Sequence, residues 1–342
     1  MKRDLIIIAL IVAAGGLFFF GYHHSRTLLI LGKTASPIPA NTEKSVSFTI
    51  GGDMMFARMI NHFFGKNFVE VVAHLDPNVF SHSDASVINL EGAITNEPII
   101  DNIGPNNFTF KFPPTIVPAL DYLHINAASQ ANNHSDNAGL EGITTTRRVL
   151  EASGIQTFGG PRESDFDRVA KFNGRGLSLA IIGINLTFPG QKPEPIVPII
   201  QELKKDPTMR VIVMPHWGVE YSSAHTQAQA DAAHLWIDAG ADLVIGSHPH
   251  VIEDGEVYKG IPIIYSLGNL LFDQTFSQAV QEGLIIKGIF TESGLTFYGI
   301  PTQSINYQPQ LMTGARKDEI LNSLYVPFKN YLNPNGQVEI AR

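Results

Sequence analysis

Residues 238–251 read DAGADLVIGSHPHV, and this stretch decides the fold. A helical pattern from Ala228 to Gly240 gives way to the apolar run ADLVIGSH (241–248), which ends on His248, Pro249 and His250. A helix, a short apolar strand and polar groups at the strand's carboxyl end form the repeating unit of an open α/β sheet, where ligands bind beyond the strand ends. Two histidines flanking a proline have little packing use, so the unit ends in chemistry.

The same arrangement recurs on either side. VSFTI (46–50) runs into Gly51-Gly52-Asp53, SVINL (86–90) into Glu91, and HINAASQ (124–130) into Ala131-Asn132-Asn133-His134. RVIVMPH (210–216) closes on His216 itself. Helical stretches are predicted over about Ala57 to Leu75 and over Leu140 to Ser153. Asn173-Gly174 and Lys259-Gly260 signal hairpins, which add antiparallel strands to a largely parallel sheet covered on both faces. Taken singly, Asp53 reads as a helix cap, Asn133 as a turn former and His216 as a satisfied buried histidine. Five strand ends carrying such groups together read as one metal site: Asp53, Glu91, Asn133, His216, His248 and His250.

Carboxylate, amide oxygen and imidazole suit a divalent Mn, Zn or Fe ion. The donors are numerous enough for one or two ions, a pair lying about 3.5–4 Å apart. The 342 residues include no cysteine, which excludes disulfides and thiolate zinc sites. A formal charge of -8 with no dense Lys/Arg face argues against nucleic acid as a partner.

An uncharged apolar stretch from Leu5 to Tyr22 follows Lys2 and Arg3. It is long enough to span a bilayer, and the preceding basic residues put the N-terminus on the cytoplasmic side. The expectation is a single-pass anchor in the cytoplasmic (inner) membrane with the main domain outside the cytoplasm; a cleaved signal peptide is the alternative. The linker TASPIPANTEK (34–44) follows.

GGDMMFAR (51–58), INLEGAIT (88–95), FKFPP (110–114), QANNHSDNAG (130–139), PHWGVEY (215–221), DAGADLVIGSHPHV (238–251) and YSLGNLLF (265–272) stand in order along the chain. Together they resemble the CapA-type capsule (poly-γ-glutamate) synthesis proteins of the calcineurin-like metallophosphoesterase superfamily. The resemblance implies an α/β, four-layer fold, a mixed β-sandwich flanked by helices, behind the N-terminal membrane anchor. With the apolar stretch, the linker composition and the weak patterning after Leu311, the chain divides into a stub and anchor over 1–33, a linker over 34–44, the domain over 45–310 and a peripheral segment over 311–342.

The resemblance also implies roles. Asp53 and His250 hold one ion, Asn133, His216 and His248 a second, and Glu91 stands between them. His134 is the catalytic histidine, a general acid. The superfamily places a histidine where this chain has Met55, so the first ion loses a donor. Arg58, Glu220 and Tyr221 are candidates for substrate binding, with a helix-surface position the alternative for each, and His225 lies close behind. The implied function is a membrane-tethered, metal-dependent hydrolase of a phosphoester or a polyglutamate amide bond, with metal-bound water as nucleophile. The competing expectation is a non-catalytic, polyanion-binding component of a polymer export complex. Implied partners are the membrane, capsule-polymer synthesis or export proteins and an anionic polymer.

Overall fold

The computed structural model describes residues 43–99, 103, 107–162 and 169–341. Two sheets stack face to face. The first contains β1 (Ser45–Met54), β2 (Ala85–Leu90), β5 (Ala127–Ser129) and β6 (Gln156–Phe158) as parallel neighbours. It continues antiparallel from β1 through β14 (Glu282–Thr291), β15 (Gly294–Ile305) and β16 (Gln308–Leu311). The short β13 (Asn269–Leu271) pairs with the end of β1, and β17 (Val338–Ala341) with β15. The second sheet has β8 (Ser178–Asn185), β9 (Met209–His216), β10 (Leu243–Ile245) and β12 (Ile261–Ile264) parallel. Its edges are the antiparallel β7 (Ala170–Asn173) and β11 (Gly255–Tyr258). A two-stranded ribbon pairs β3 (Ala93–Ile94) with β4 (Lys111–Phe112).

The period-2 alternation of strands sorts their side chains into three cores. Val46, Phe48 and Ile50 of β1 meet Leu179 and Ile181 of β8, Ile212 and Met214 of β9, and Leu243 and Ile245 of β10 between the sheets. The alternate residues Ala180, Ile182, Val211, Val213 and Val244 face Ile200 and Trp236, on the helices Val197–Leu203 and Gln227–Ala239. On the other side, Ile88 and Leu90 of β2 face Ile60, Val71, Leu120 and Leu150. The result is helices, sheet, sheet, helices: the mixed four-layer sandwich expected.

Local signals explain much of this. Thr226 and Gln229 form a capping box at the start of Gln227–Ala239, and Gly240 ends it in the left-handed region. Lys259 and Gly260 both have positive φ (49° and 81°) between β11 and β12, the two-residue turn that matches strand twist. The helix expected over Ala57 to Leu75 is instead broken into Arg58–Phe64 and Val69–Val72. Asn67 is responsible: its Oδ1 accepts the Val69 N–H at 3.2 Å and restarts the helix.

The C-terminal segment, expected to be peripheral, joins the central core. Leu324, Tyr325, Phe328, Val338 and Ile340 pack between the sheets, and the Phe328 ring meets Phe297 edge-on at 5.5 Å. Its apolar residues are few but well spaced, so composition hides a docked helix and strand. The stretch Leu5 to Tyr22 lies outside the described residues, among which no helix is long and apolar enough to cross a membrane. Phe328→Ala is expected to cost about 3–5 kcal/mol in urea unfolding; a loss below about 1 kcal/mol would mean the segment does not pack in the core.

Candidate metal centre

The parallel strands of both sheets bring their carboxyl ends to one edge. Asp53 sits at a bulge in β1, where the pairing with β2 and β13 shifts register. Gly52 makes the bulge possible, since a Cβ there would stand 2.0 Å from the Gly268 carbonyl oxygen. That carbonyl accepts the Asp53 N–H at 3.0 Å. After Glu91, Gly92 turns the chain at φ 138°, and a Cβ on it would meet Phe112 at 2.4 Å. Arg58, Tyr221, His248 and His250 all have positive φ, from 50° to 99°. For residues with a side chain this is costly backbone, and such strain collects where the surrounding structure dictates a position.

Asp53, Glu91 and His216 are buried, and one ligand atom from each lies within 4.8 Å of the others. Two subsets are visible around them. Asn133 Oδ1 lies 2.8 Å from His216 Nε2, and His248 Nδ1 lies 3.2 Å from the same nitrogen. Glu91 Oε1 lies 3.6 Å from His250 Nε2 and 3.8 Å from His134 Nε2, while Asp53 Oδ2 is 3.6 Å from His250 Nδ1.

Neighbouring groups fix which ring nitrogens keep a lone pair. Asn269 spends its amide N–H groups on Gln274 Oε1 and the Val280 carbonyl, so its Oδ1 accepts from His250 Nδ1–H at 3.0 Å. His250 therefore turns an unprotonated Nε2 toward Glu91. Asn137 Oδ1 is held by the Phe110 N–H, so it accepts from His134 Nδ1–H at 3.0 Å and leaves Nε2 of that ring facing Glu91. Around His216, Nδ1 lies 3.0 Å from the Ser247 hydroxyl and 3.4 Å from Asn89 Nδ2, while Nε2 faces Asn133 Oδ1 and His248 Nδ1.

Burial dominates the electrostatics. It raises Asp53 to about 7, against hydrogen bonds from Asn89 and the His248 backbone. Burial and then the charges of Asp53 and Glu220 hold Glu91 well above the usual carboxylate range. Burial pushes His134 and His248 down to about 4 and His250 to about 3, and His216 well below its ordinary value. Glu91 Oε1 is buried with no hydrogen-bond partner. An orphaned carboxylate oxygen faced by imidazole nitrogens is the environment a divalent cation satisfies. The donor set fits such an ion.

Some expectations change. Arg58 is not on the open surface: it is partly buried in a bidentate ion pair with Asp273 and stacks 4.8 Å over Phe110. Its charge still reaches Glu91, His134 and His250. The Tyr221 ring stacks on His250 at 6.1 Å, and the exposed Glu220 lies near enough to raise Glu91. His225 belongs elsewhere, stacked 3.9 Å on Tyr265 and bonded to Asp254. Met55 turns its sulfur to the Ala57 N–H at 2.8 Å.

The residues missed are amides that hold the ligand-capable groups. Asn89 Nδ2 donates to Asp53 Oδ1 at 2.8 Å and lies 3.3 Å from Glu91 Oε2. Asn132 in turn holds Asn89 Oδ1 and the Leu90 carbonyl. Asn89 sits two residues before Glu91, hence on the same strand face, and that spacing was the available signal.

Metal binding requires deprotonated carboxylates and releases their protons. The folded-state pKa of Asp53, about 7, lies above its ordinary 3.8. The metal-free fold therefore keeps this contribution to stability below the ordinary pKa and loses it as pH rises through about 7. The rise in melting temperature produced by Mn²⁺ is expected to be larger at about pH 8 than at about pH 6; an equal or smaller rise at the higher pH would contradict this. Asn89→Ala is expected to weaken metal binding by about 10–100-fold in a competitive chelator titration.

The pattern of the family described as bacterial capsule synthesis protein PGA_cap matches residues 47–274. The chain is 27% identical over 270 residues to the PGA biosynthesis protein CapA of Bacillus subtilis, covering 74% of this chain and 70% of that protein. It is 26% identical over 272 residues to the capsule biosynthesis protein CapA of Bacillus anthracis, covering 74% and 66% respectively. A purple acid phosphatase from yellow lupin aligns over 84% of this chain and 56% of its own at 13% identity. Its TM-score of 0.36 is too low for a shared fold to follow. The matched span runs from β1 past β13 and takes in every strand end of the centre, and the chain belongs to the bacterial capsule synthesis protein PGA_cap family.

Proposed function

We propose that this chain is a metal-dependent hydrolase acting in the synthesis of a capsule polymer of the poly-γ-glutamate kind, on a phosphoester or an amide bond. The observation that carries the reading is the orphaned Glu91 Oε1, buried between His250 Nε2 and His134 Nε2. In this reading Asp53 and His250 would hold one divalent ion and Asn133, His216 and His248 a second, with Glu91 available to either. A divalent ion so held polarises a substrate oxygen and makes water a competent nucleophile at neutral pH. Met55 offers no hard donor and keeps its sulfur on its own backbone, so an ion held by Asp53 and His250 would be the weaker bound of the two.

His134 is the proton-transfer residue of this reading. Asn137 orients its ring, Phe110 stacks on it at 4.0 Å, and Nε2 is the atom free to exchange a proton with a leaving group. Glu220 and Tyr221 border the approach beside His250. Arg58 acts on the centre through its field and steadies the Asp273 carboxylate beneath it. A purely polyanion-gripping role is less well supported, because among the described residues the guanidinium whose charge reaches the buried groups, that of Arg58, is already paired with Asp273. The uncharged stretch from Leu5 to Tyr22 supports placing the domain at a membrane, on sequence alone.

The purified protein with Mn²⁺ or Zn²⁺ is expected to hydrolyse a generic phosphodiester, and His216→Ala and His248→Ala to abolish turnover. His134→Ala is expected to lower kcat by about 10²–10⁴-fold while leaving metal content unchanged. Turnover unaffected by the His216 and His248 substitutions would defeat the proposal.

A further inference from the structure

A cavity of about 350 Å³ lies beside the centre and shares a wall with it. That wall is Tyr221, whose ring stacks on His250 and also lines the cavity. Ile320 and Leu324, from the helix Ala315–Tyr325, contribute apolar surface, and Glu253 and Asp254 contribute charge.

Glu253 is the informative residue. It is 2% exposed, and its Oε2 accepts from Gln229 Nε2 at 2.8 Å. Gln229 cannot turn over, because its Oε1 holds the Thr226 N–H and hydroxyl. Glu253 Oε1 is buried and has no partner. An unpaired buried carboxylate oxygen costs free energy that a ligand donor would recover. Asp254 is half exposed and shares one oxygen with His225. The positive side chain on this lining, Arg316, is engaged already: Nε and Nη2 each donate to Glu282 at 2.7 Å, and Nη1 to Glu319 at 2.9 Å.

The cavity thus offers carboxyl acceptors, an aromatic face and an apolar wall, with its guanidinium spent; burial raises the Glu253 carboxyl to about 7, and a cation beside it favours the ionised form. Carboxylates of an anionic polymer find no complement there, whereas an alkylammonium finds charge, a hydrogen-bond acceptor and a surface for its methylenes. We propose that this cavity is a subsite for a primary aliphatic amine carried by the substrate, its ammonium donating to Glu253 Oε1 and its methylenes lying on Ile320 and Leu324. The inference rests on the hydrolase reading only for the direction in which the rest of the substrate runs, past Tyr221 toward His250.

Calorimetric titration of the full-length chain with cadaverine tests it, performed in EDTA so that a failed metal centre does not affect the outcome. Cadaverine is expected to bind, with 1,5-pentanediol and glutarate binding at least about tenfold more weakly. Glu253→Gln is expected to weaken cadaverine by about tenfold or more with melting temperature and metal content unchanged. Equal binding of cadaverine by wild type and Glu253→Gln, or glutarate binding as well as cadaverine, would overturn the subsite. Displacement of cadaverine by Mg²⁺ alone in an EDTA-free titration would overturn it in favour of a metal-cation site.

Discussion

Two carboxylates, Asp53 and Glu91, are fully buried at the edge where the two sheets meet, alongside four histidines that burial keeps neutral. The cost of removing such groups from water is several kcal/mol each unless a partner compensates. Asn89 and the His248 backbone N–H supply hydrogen bonds to Asp53, but Glu91 Oε1 receives none. Arg58, whose charge reaches Glu91, is committed to Asp273. Much of the local architecture follows from holding this arrangement in place: Gly52 lets β13 close over the bulge, and strained turns aim His248 and His250 inward. Buried polarity of this kind, with an acceptor left unpaired, is what a bound cation would compensate.

The strand ends were legible because an apolar run followed by a metal-type residue is a local signal, and five such signals share one topological edge. The four-layer stacking was carried by resemblance, and the period-2 sorting of Leu179, Ala180 and Ile181 into different cores bears it out. Asn89 and Asn269 escaped notice for a physical reason. An amide that orients a ligand is chosen by three-dimensional contact: Asn89 had only its two-residue spacing from Glu91 to mark it, and its main partner Asp53 lies 36 residues away. The same holds for Arg58, whose burial depends on Asp273, more than two hundred residues away. The C-terminal segment misled because its few apolar residues, Phe328 above all, act by docking into a core built elsewhere.

The centre and the neighbouring cavity differ in what they present. Beside the buried carboxylates, imidazole nitrogens are arranged with their lone pairs inward, each set by a second group: Asn269 for His250 and Asn137 for His134. Across Tyr221, the polar groups are carboxylates and the counter-charge of Arg316 is consumed internally. A substrate spanning both would carry its reacting oxygen-rich group on one side of Tyr221 and a cationic group on the other. Such a division fits a chain end better than the repeating carboxylates of a polyanion's interior.

The central claim is that these strand ends bind a divalent metal, and elemental analysis of the purified protein after mild dialysis tests it most directly. The account predicts at least one equivalent of a divalent transition metal per chain, lost in Glu91→Gln while the folded structure persists. A folded wild-type protein that retains no such metal, and takes up none when Mn²⁺ or Zn²⁺ is added, would contradict it.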